Sequence, residues 1–133
     1  MIEQINTAKA PSPGGPYSHA IKLGNLVFAS GQLPTDPKSG KIVVEDIQAQ
    51  TRQVLENLKS VLEAAGSSLD HTLKMTVYLI DKKRNFKKMN QVYGEYLRNK
   101  PARTTVDVSF IKEMPNKALV EMDAIACIES RED

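Results

Sequence analysis

The chain has 133 residues, 41% apolar and 26% charged, the size and composition of one globular domain spanning residues 1–133 and not of a disordered or collagen-like chain. Eighteen basic against sixteen acidic side chains give +2, too little for a nucleic-acid footprint on charge alone, and no apolar run reaches the ~18 residues of a membrane span. The opening residues, with Glu3 and no apolar stretch, are not expected to act as a secretory leader, and the single Cys127 can form no intrachain disulfide, which fits a reducing, cytoplasmic setting.

In chain order, residues 3–8 are read as a short edge strand. Pro11-Ser12-Pro13-Gly14-Gly15-Pro16 holds too many breakers for a helix or a central strand. Residues 18–23 and 26–30 flank Gly24-Asn25, and a Gly-Asn pair supplies the positive φ of a tight hairpin. Pro34 to Gly40 is loop. Over 46–65, Ile47, Thr51, Val54, Leu58, Val61, Leu62 and Ala65 recur at three- and four-residue steps, which predicts an amphipathic helix capped by Asp46 and ended by Gly66. Residues 72–80 predict a strand with Leu73, Met75, Val77 and Leu79 on one face and Lys74, Thr76 and Tyr78 on the other. A second helix is expected over 86–98, capped by Asn85, with Phe86, Met89, Tyr93, Tyr96 and Leu97 inward.

Two further strands close the pattern. Residues 104–110 group Thr104, Val106, Val108 and Phe110, leaving Arg103, Thr105, Asp107 and Ser109 opposite. Residues 119–128 group Val120, Met122, Ala124, Ala126 and Ile128, leaving Leu119, Glu121, Asp123, Ile125 and Cys127 opposite. Parity therefore predicts Arg103, Thr105, Glu121 and Asp123 together, away from the apolar face. Two amphipathic helices cover one sheet face only, an α+β two-layer domain. The other face mixes charges with Leu119, Ile125 and Cys127, a composition suited to burial against a second copy of the chain, with a cleft between copies.

Arg103 with Glu121 is the leading candidate for chemistry. The planar guanidinium fork matches a small carboxylate, and a nearby Glu can position water or accept a proton. A structural ion pair between neighbouring strands explains the same two residues. Tyr17 can reach a cleft from its Pro/Gly-rich loop or pack over the core edge, and Ser30-Gly31 can floor a ligand site or form a bulge. The run Lys82-Lys83-Arg84 with Lys87-Lys88 reads as a solvated helix start, since no aromatic platform accompanies it. His19 and His71 stand at no metal-ligand spacing, and no phosphate-binding glycine loop is present, so no metal or nucleotide cofactor is expected.

Several segments, in order and across essentially the whole chain, resemble the Rid family and its RidA subgroup of reactive intermediate deaminases. They are Gly15-Pro16-Tyr17-Ser18 with Ala20, Ala29-Ser30-Gly31-Gln32-Leu33-Pro34, Phe86-x-x-x-Asn90-x-x-Tyr93, Pro101-Ala102-Arg103 and Val120-Glu121-Met122-Asp123-Ala124-Ile125-Ala126. The resemblance implies a chorismate-mutase-like fold, a mixed sheet with two helices on one face, assembled as a homotrimer with clefts between subunits. It implies hydrolysis of 2-imino acids or their enamine tautomers, such as 2-iminobutanoate and 2-iminopropanoate from pyridoxal-phosphate dehydratases, to 2-keto acid and ammonia without a cofactor. Arg103 would clamp the substrate carboxylate, Glu121 position or activate water, Tyr17 hydrogen-bond substrate or water, and Ser30 and Gly31 shape the floor. Thr105 stands where the subgroup often has Cys, which excludes a thiol mechanism there, and Lys100 replaces the usual apolar or aromatic residue before Pro101. A non-catalytic keto- or amino-acid sensor and a ribonuclease or translation inhibitor are the rival readings.

Overall fold

The computed structural model describes residues 1–109 and 117–129; Phe110, placed on a strand by the sequence pattern, lies outside the described residues. The alternating and helical patterns become β1 (Ile2–Ile5), β2 (Ala20–Leu23), β3 (Leu26–Gln32), α1 (Ile47–Ala64), β4 (Thr72–Leu79), α2 (Lys82–Tyr96), β5 (Ala102–Asp107) and β6 (Val120–Cys127), with one 3-10 turn at Leu69–His71. The strands form one six-stranded sheet in the order β1-β2-β3-β6-β4-β5. Among the described strands only β4 and β5, joined through α2, run parallel, because a crossover helix is what returns a chain to a parallel neighbour.

α1 forms where its periodicity places it. The Asp46 carboxylate accepts the Ala49 N–H at 2.8 Å, and Gly66, at φ +87°, turns the chain out of the helix in the left-handed region that suits glycine. Its apolar stripe is buried against β3 and β6, with Val54, Leu55, Leu58, Val61 and Leu62 at 0% exposure. Each such aliphatic contributes about 1.5–3 kcal/mol of transfer free energy. Three buried polar residues, Gln50, Thr51 and Asn57, share the stripe. Asn57 donates to the carbonyls of Leu33 and Thr35 at 3.0 and 2.9 Å, which ties the segment after β3 to the helix. Gln50 accepts the Leu119 N–H at 2.7 Å at the entrance to β6.

α2 starts four residues before the expected Phe86, at Lys82, and its cap is Asp81, not Asn85. Propensity gives no warning of this, because Lys82, Lys83 and Arg84 put positive charge at the positive end of the helix dipole. The tertiary fold compensates. Asp107 and Ser109, from the end of β5, accept the N–H groups of Lys82 and Asp81 at 3.2 and 2.7 Å, and hydrogen bonds from Ser109 hold the Asp107 carboxyl below its usual range. Asn85 instead donates to the Ile80 carbonyl at 2.7 Å.

Strand parity holds for β6 and most of β4. Met75, Val77 and Leu79 pair with Ala124, Met122 and Val120 under the helices, while Tyr78 and Thr76 pair with Glu121 and Asp123 on the open face. Two expectations are corrected. A register shift between Thr72 and Lys74 turns Leu73 outward and Thr72 inward, as one extra residue in a β-bulge reverses facing. On β5, Arg103 and Thr105 pair with Met75 and Val77, so they lie on the helix-covered face, and the apolar Val106 lies on the open one. The parity inference failed there because β5 is an edge strand beside α2, where the apolar side is the one without helices. The open face also carries Phe28 paired with Ile125 and Leu23 paired with Leu26; Leu23 and Phe28 are 46% and 40% exposed.

Replacing Asn57 by Ala leaves the Leu33 and Thr35 carbonyls without donors and should lower unfolding stability by about 1–3 kcal/mol, read from urea denaturation with an unchanged m-value.

Candidate active site

The candidate residues fall into two groups. The first lies between α2 and β5. Phe86, Asn90 and Tyr93 recur at helical steps on the side of α2 that faces β5. Arg103 Nη1 donates to Asn90 Oδ1 at 2.8 Å, and the guanidinium carbon stands 4.6 Å from the Tyr93 ring centre and 5.6 Å from that of Phe86. Both spacings suit a cation on an aromatic face. Burial pushes the Tyr93 phenol up against the opposing pull of Arg103. Among the described residues no carboxylate comes within salt-bridge distance of Arg103. Thr105 follows on the same face, and Lys100 is exposed in the turn before it.

The second group lines a pocket of about 270 Å³ at the other side of the molecule, where Tyr17, His19, Gly31 and Glu121 meet the loop 11–14. The β3–β6 register jumps from Ala29–Ala124 to Gln32–Met122, so Ser30 and Gly31 form a bulge beside Glu121. A Cβ on Gly31 would stand 3.0 Å from Glu121 Oε2; glycine is what lets this carboxyl lie against the β3 backbone. The Ser30 hydroxyl donates to the Ser18 carbonyl at 2.7 Å and its N–H to the His19 carbonyl at 2.9 Å, so Ser30 fixes the floor and its proton is committed. Tyr17 is 52% exposed, and its oxygen accepts the Gly14 N–H at 3.1 Å, which leaves the phenolic proton for a ligand. Glu121 is half-buried. Desolvation, and then the charge of Asp123 two residues along, raises its pKa above the ordinary carboxyl value, and Asp123 itself accepts the Tyr78 hydroxyl at 3.1 Å.

Arg103 and Glu121 are therefore not a cross-strand ion pair. β4 lies between their strands, and the two side chains occupy opposite faces of the sheet, in register with Met75 and with Tyr78. The expectation that one face gathers them is overturned for a single protomer. Asn90 and Tyr93 complete the arginine group. In the sequence they stand in the Phe86-x-x-x-Asn90-x-x-Tyr93 motif, where the signal for them is their helical spacing from Phe86.

The family model described as Endoribonuclease L-PSP matches residues 7–128. A RutC family protein of Pyrococcus horikoshii is 56% identical over 95% of this chain and 98% of its own. Reactive Intermediate Deaminase A, chloroplastic, of Arabidopsis thaliana is 41% identical over 95% of this chain and 66% of its own. The crystal structure of Escherichia coli TdcF with bound serine superposes with a TM-score of 0.87 at 37% identity, covering 96% of this chain and 99% of that one.

Because Glu121 titrates higher folded than unfolded, the folded state holds the extra proton, and its burial costs stability as pH rises above the ordinary Glu range. Glu121→Gln should therefore raise the Tm at neutral pH and not at pH 4, measured by calorimetry, while lowering any turnover that depends on the carboxyl.

Proposed function

The chain belongs to the Rid family, and from that premise and the two residue groups above we propose that it hydrolyses small 2-imino acids, or their enamine tautomers, to 2-keto acids and ammonia. 2-Iminobutanoate and 2-iminopropanoate released by pyridoxal-phosphate dehydratases are the substrates proposed. The observation that carries the reading is the Arg103 guanidinium, half-buried, braced by Asn90 and two aromatic rings, and matched by no carboxylate among the described residues. Such a cation calls for an anionic ligand, and with one N–H engaged by Asn90 the fork keeps others to grip a carboxylate.

The catalytic groups belong in one cleft, so the proposed assembly sets the Arg103 side of one protomer against the Tyr17–Glu121 side of the next, as a homotrimer. The half-apolar open sheet face, with Leu23, Phe28, Ile125 and Val106, supports this association. In that cleft Glu121, whose surroundings favour its protonated form, donates a proton to the imine nitrogen. Water adds to the C=N carbon, and its proton returns to the Glu121 carboxylate. The resulting carbinolamine expels ammonia as its hydroxyl becomes the carbonyl. Tyr17 donates to the incoming water or to the substrate. The C=N bond is intrinsically reactive, so positioning, worth about 7–11 kcal/mol at its upper end, is sufficient catalysis. Serine bound to TdcF shows that this relative takes a small amino acid, in keeping with a carboxylate-binding cleft here.

The test couples the protein to a threonine dehydratase and follows 2-ketobutanoate formation above the spontaneous rate. Arg103→Ala should abolish the acceleration with the fold and sedimentation of the assembly unchanged. Arg103→Ala and Glu121→Gln chains, unfolded and refolded together, should regain about a quarter of the wild-type activity if each cleft draws on two chains at random, and none if a single chain carries both groups. Binding of a 2-keto acid without turnover would favour a metabolite sensor. RNA cleavage that survives rigorous purification and vanishes with Arg103→Ala would favour the activity in the family model's description.

A further inference from the structure

His19 is the buried titratable group in the wall of the Glu121 pocket, at 2% exposure, and the reaction above gives it no part. Its hydrogen bonds define its state. Nδ1 accepts the main-chain N–H of Thr7 at 3.1 Å, and a backbone amide can only donate, so Nδ1 carries a lone pair. Nε2 stands 2.6 Å from the Pro11 carbonyl, which can only accept, so Nε2 carries the hydrogen. The backbone of the same residue is also engaged. Its N–H donates to Asn6 Oδ1 at 3.1 Å, and its carbonyl accepts the Ser30 N–H at 2.9 Å.

These contacts gather residues 6, 7, 11 and 30 around one residue, and of them the imidazole itself holds Thr7 and Pro11. The segment between Pro11 and His19 carries Tyr17 and, before β2 begins at Ala20, meets the sheet where the Ser18 and His19 carbonyls accept from Ser30 of β3. Within it the phenol is held locally, by the Gly14 N–H and by the Tyr17 N–H to the Gly15 carbonyl at 2.9 Å. Those bonds fix Tyr17 relative to its own loop and not relative to Glu121. The C-terminal end of the loop is linked to the pocket floor by Ser30, which donates to the Ser18 and His19 carbonyls, and the Pro11 end, on which the Gly14 contact to the phenol rests, is held by the His19 imidazole.

We propose that His19 is a positioning residue, a neutral Nε2–H imidazole that fastens the 6–19 segment and so sets where the Tyr17 phenol stands over the Glu121 pocket. It exchanges no proton with substrate, because both ring nitrogens are engaged by the main chain. The role of Tyr17 in catalysis rests on the imine-hydrolase reading; the placement of Tyr17 by His19 does not.

A glutamine can offer the same pair, an oxygen to the Thr7 N–H and an N–H to the Pro11 carbonyl, whereas leucine fills the space and offers neither. His19→Leu should lower kcat/KM for imine hydrolysis about tenfold, on the scale of a misplaced catalytic group, and His19→Gln should restore most of it. In a Tyr17→Phe background the Leu substitution should have little further effect, as expected of residues acting through one another. Nitrogen NMR of labelled wild-type protein should show a single neutral Nε2–H ring. An Nδ1–H or protonated ring, equal losses in Leu and Gln, or a full tenfold Leu effect without the Tyr17 hydroxyl would each overturn the proposal. If the wild-type chain hydrolyses no imine, the function fails by itself, and a carbon-labelled Tyr17 ring decides His19. Displacement of that signal in His19→Leu but not in His19→Gln supports the positioning role, and no displacement overturns it.

Discussion

A guanidinium that meets no carboxylate among the described residues is the constraint around which this molecule is arranged. Arg103 sits on an edge strand, where α2 supplies an amide oxygen and two aromatic faces but no countercharge among the described residues. Such an arrangement is less favourable than an ion pair in an isolated protomer, and it keeps the fork available. α2 bears the cost of presenting it. The helix begins on three basic residues against its own dipole and is anchored by Asp81, Asp107 and Ser109. The same β5 thus supplies Arg103 to the site and the acceptors that let α2 start early enough to brace it.

The acid of the pair is prepared by opposite means. Glu121 is half-buried and placed near Asp123, both of which favour its protonated form. A glycine at position 31 and the bulge around it make room for the carboxyl against β3. A guanidinium with no carboxylate partner among the described residues on one side of the sheet and an acid of raised pKa on the other are chemically complementary. Copies of the chain set head to tail, each placing one of these two different surfaces against the other surface of its neighbour, can bring them together in every interface of a closed ring. In the assembly proposed above, the candidate groups and the association are one problem, because a single protomer keeps Arg103 and Glu121 on opposite faces of the sheet.

Much of the fold was legible in the residues. The α1 stripe, its Asp46 cap and its Gly66 stop are local signals that tertiary packing reinforced. The Gly24 hairpin and the alternation in β6 also stand as read. The early start of α2 was not legible, since its stabilising acceptors come from residues 107 and 109, about twenty-five positions away in sequence. The facing of Leu73 depended on a bulge, and no residue type announces one there.

For the site, the chemistry of single residues could be inferred from composition and spacing. An arginine fork, an acid in an apolar strand, a tyrosine in a breaker-rich loop and a glycine beside a strand end each imply what they can do. What they could do together was decided by strand order. Parity gives the face of a residue relative to its own strand, but which face that is on the sheet follows from the neighbour it pairs with, and β5 pairs in parallel with β4, not with β6. That pairing, fixed by the α2 crossover and its packing, is a long-range property absent from any local window of sequence. The chain by itself therefore determined the chemical capacities of Arg103, Glu121 and Tyr17, and the tertiary structure alone decided that the first stands apart from the other two.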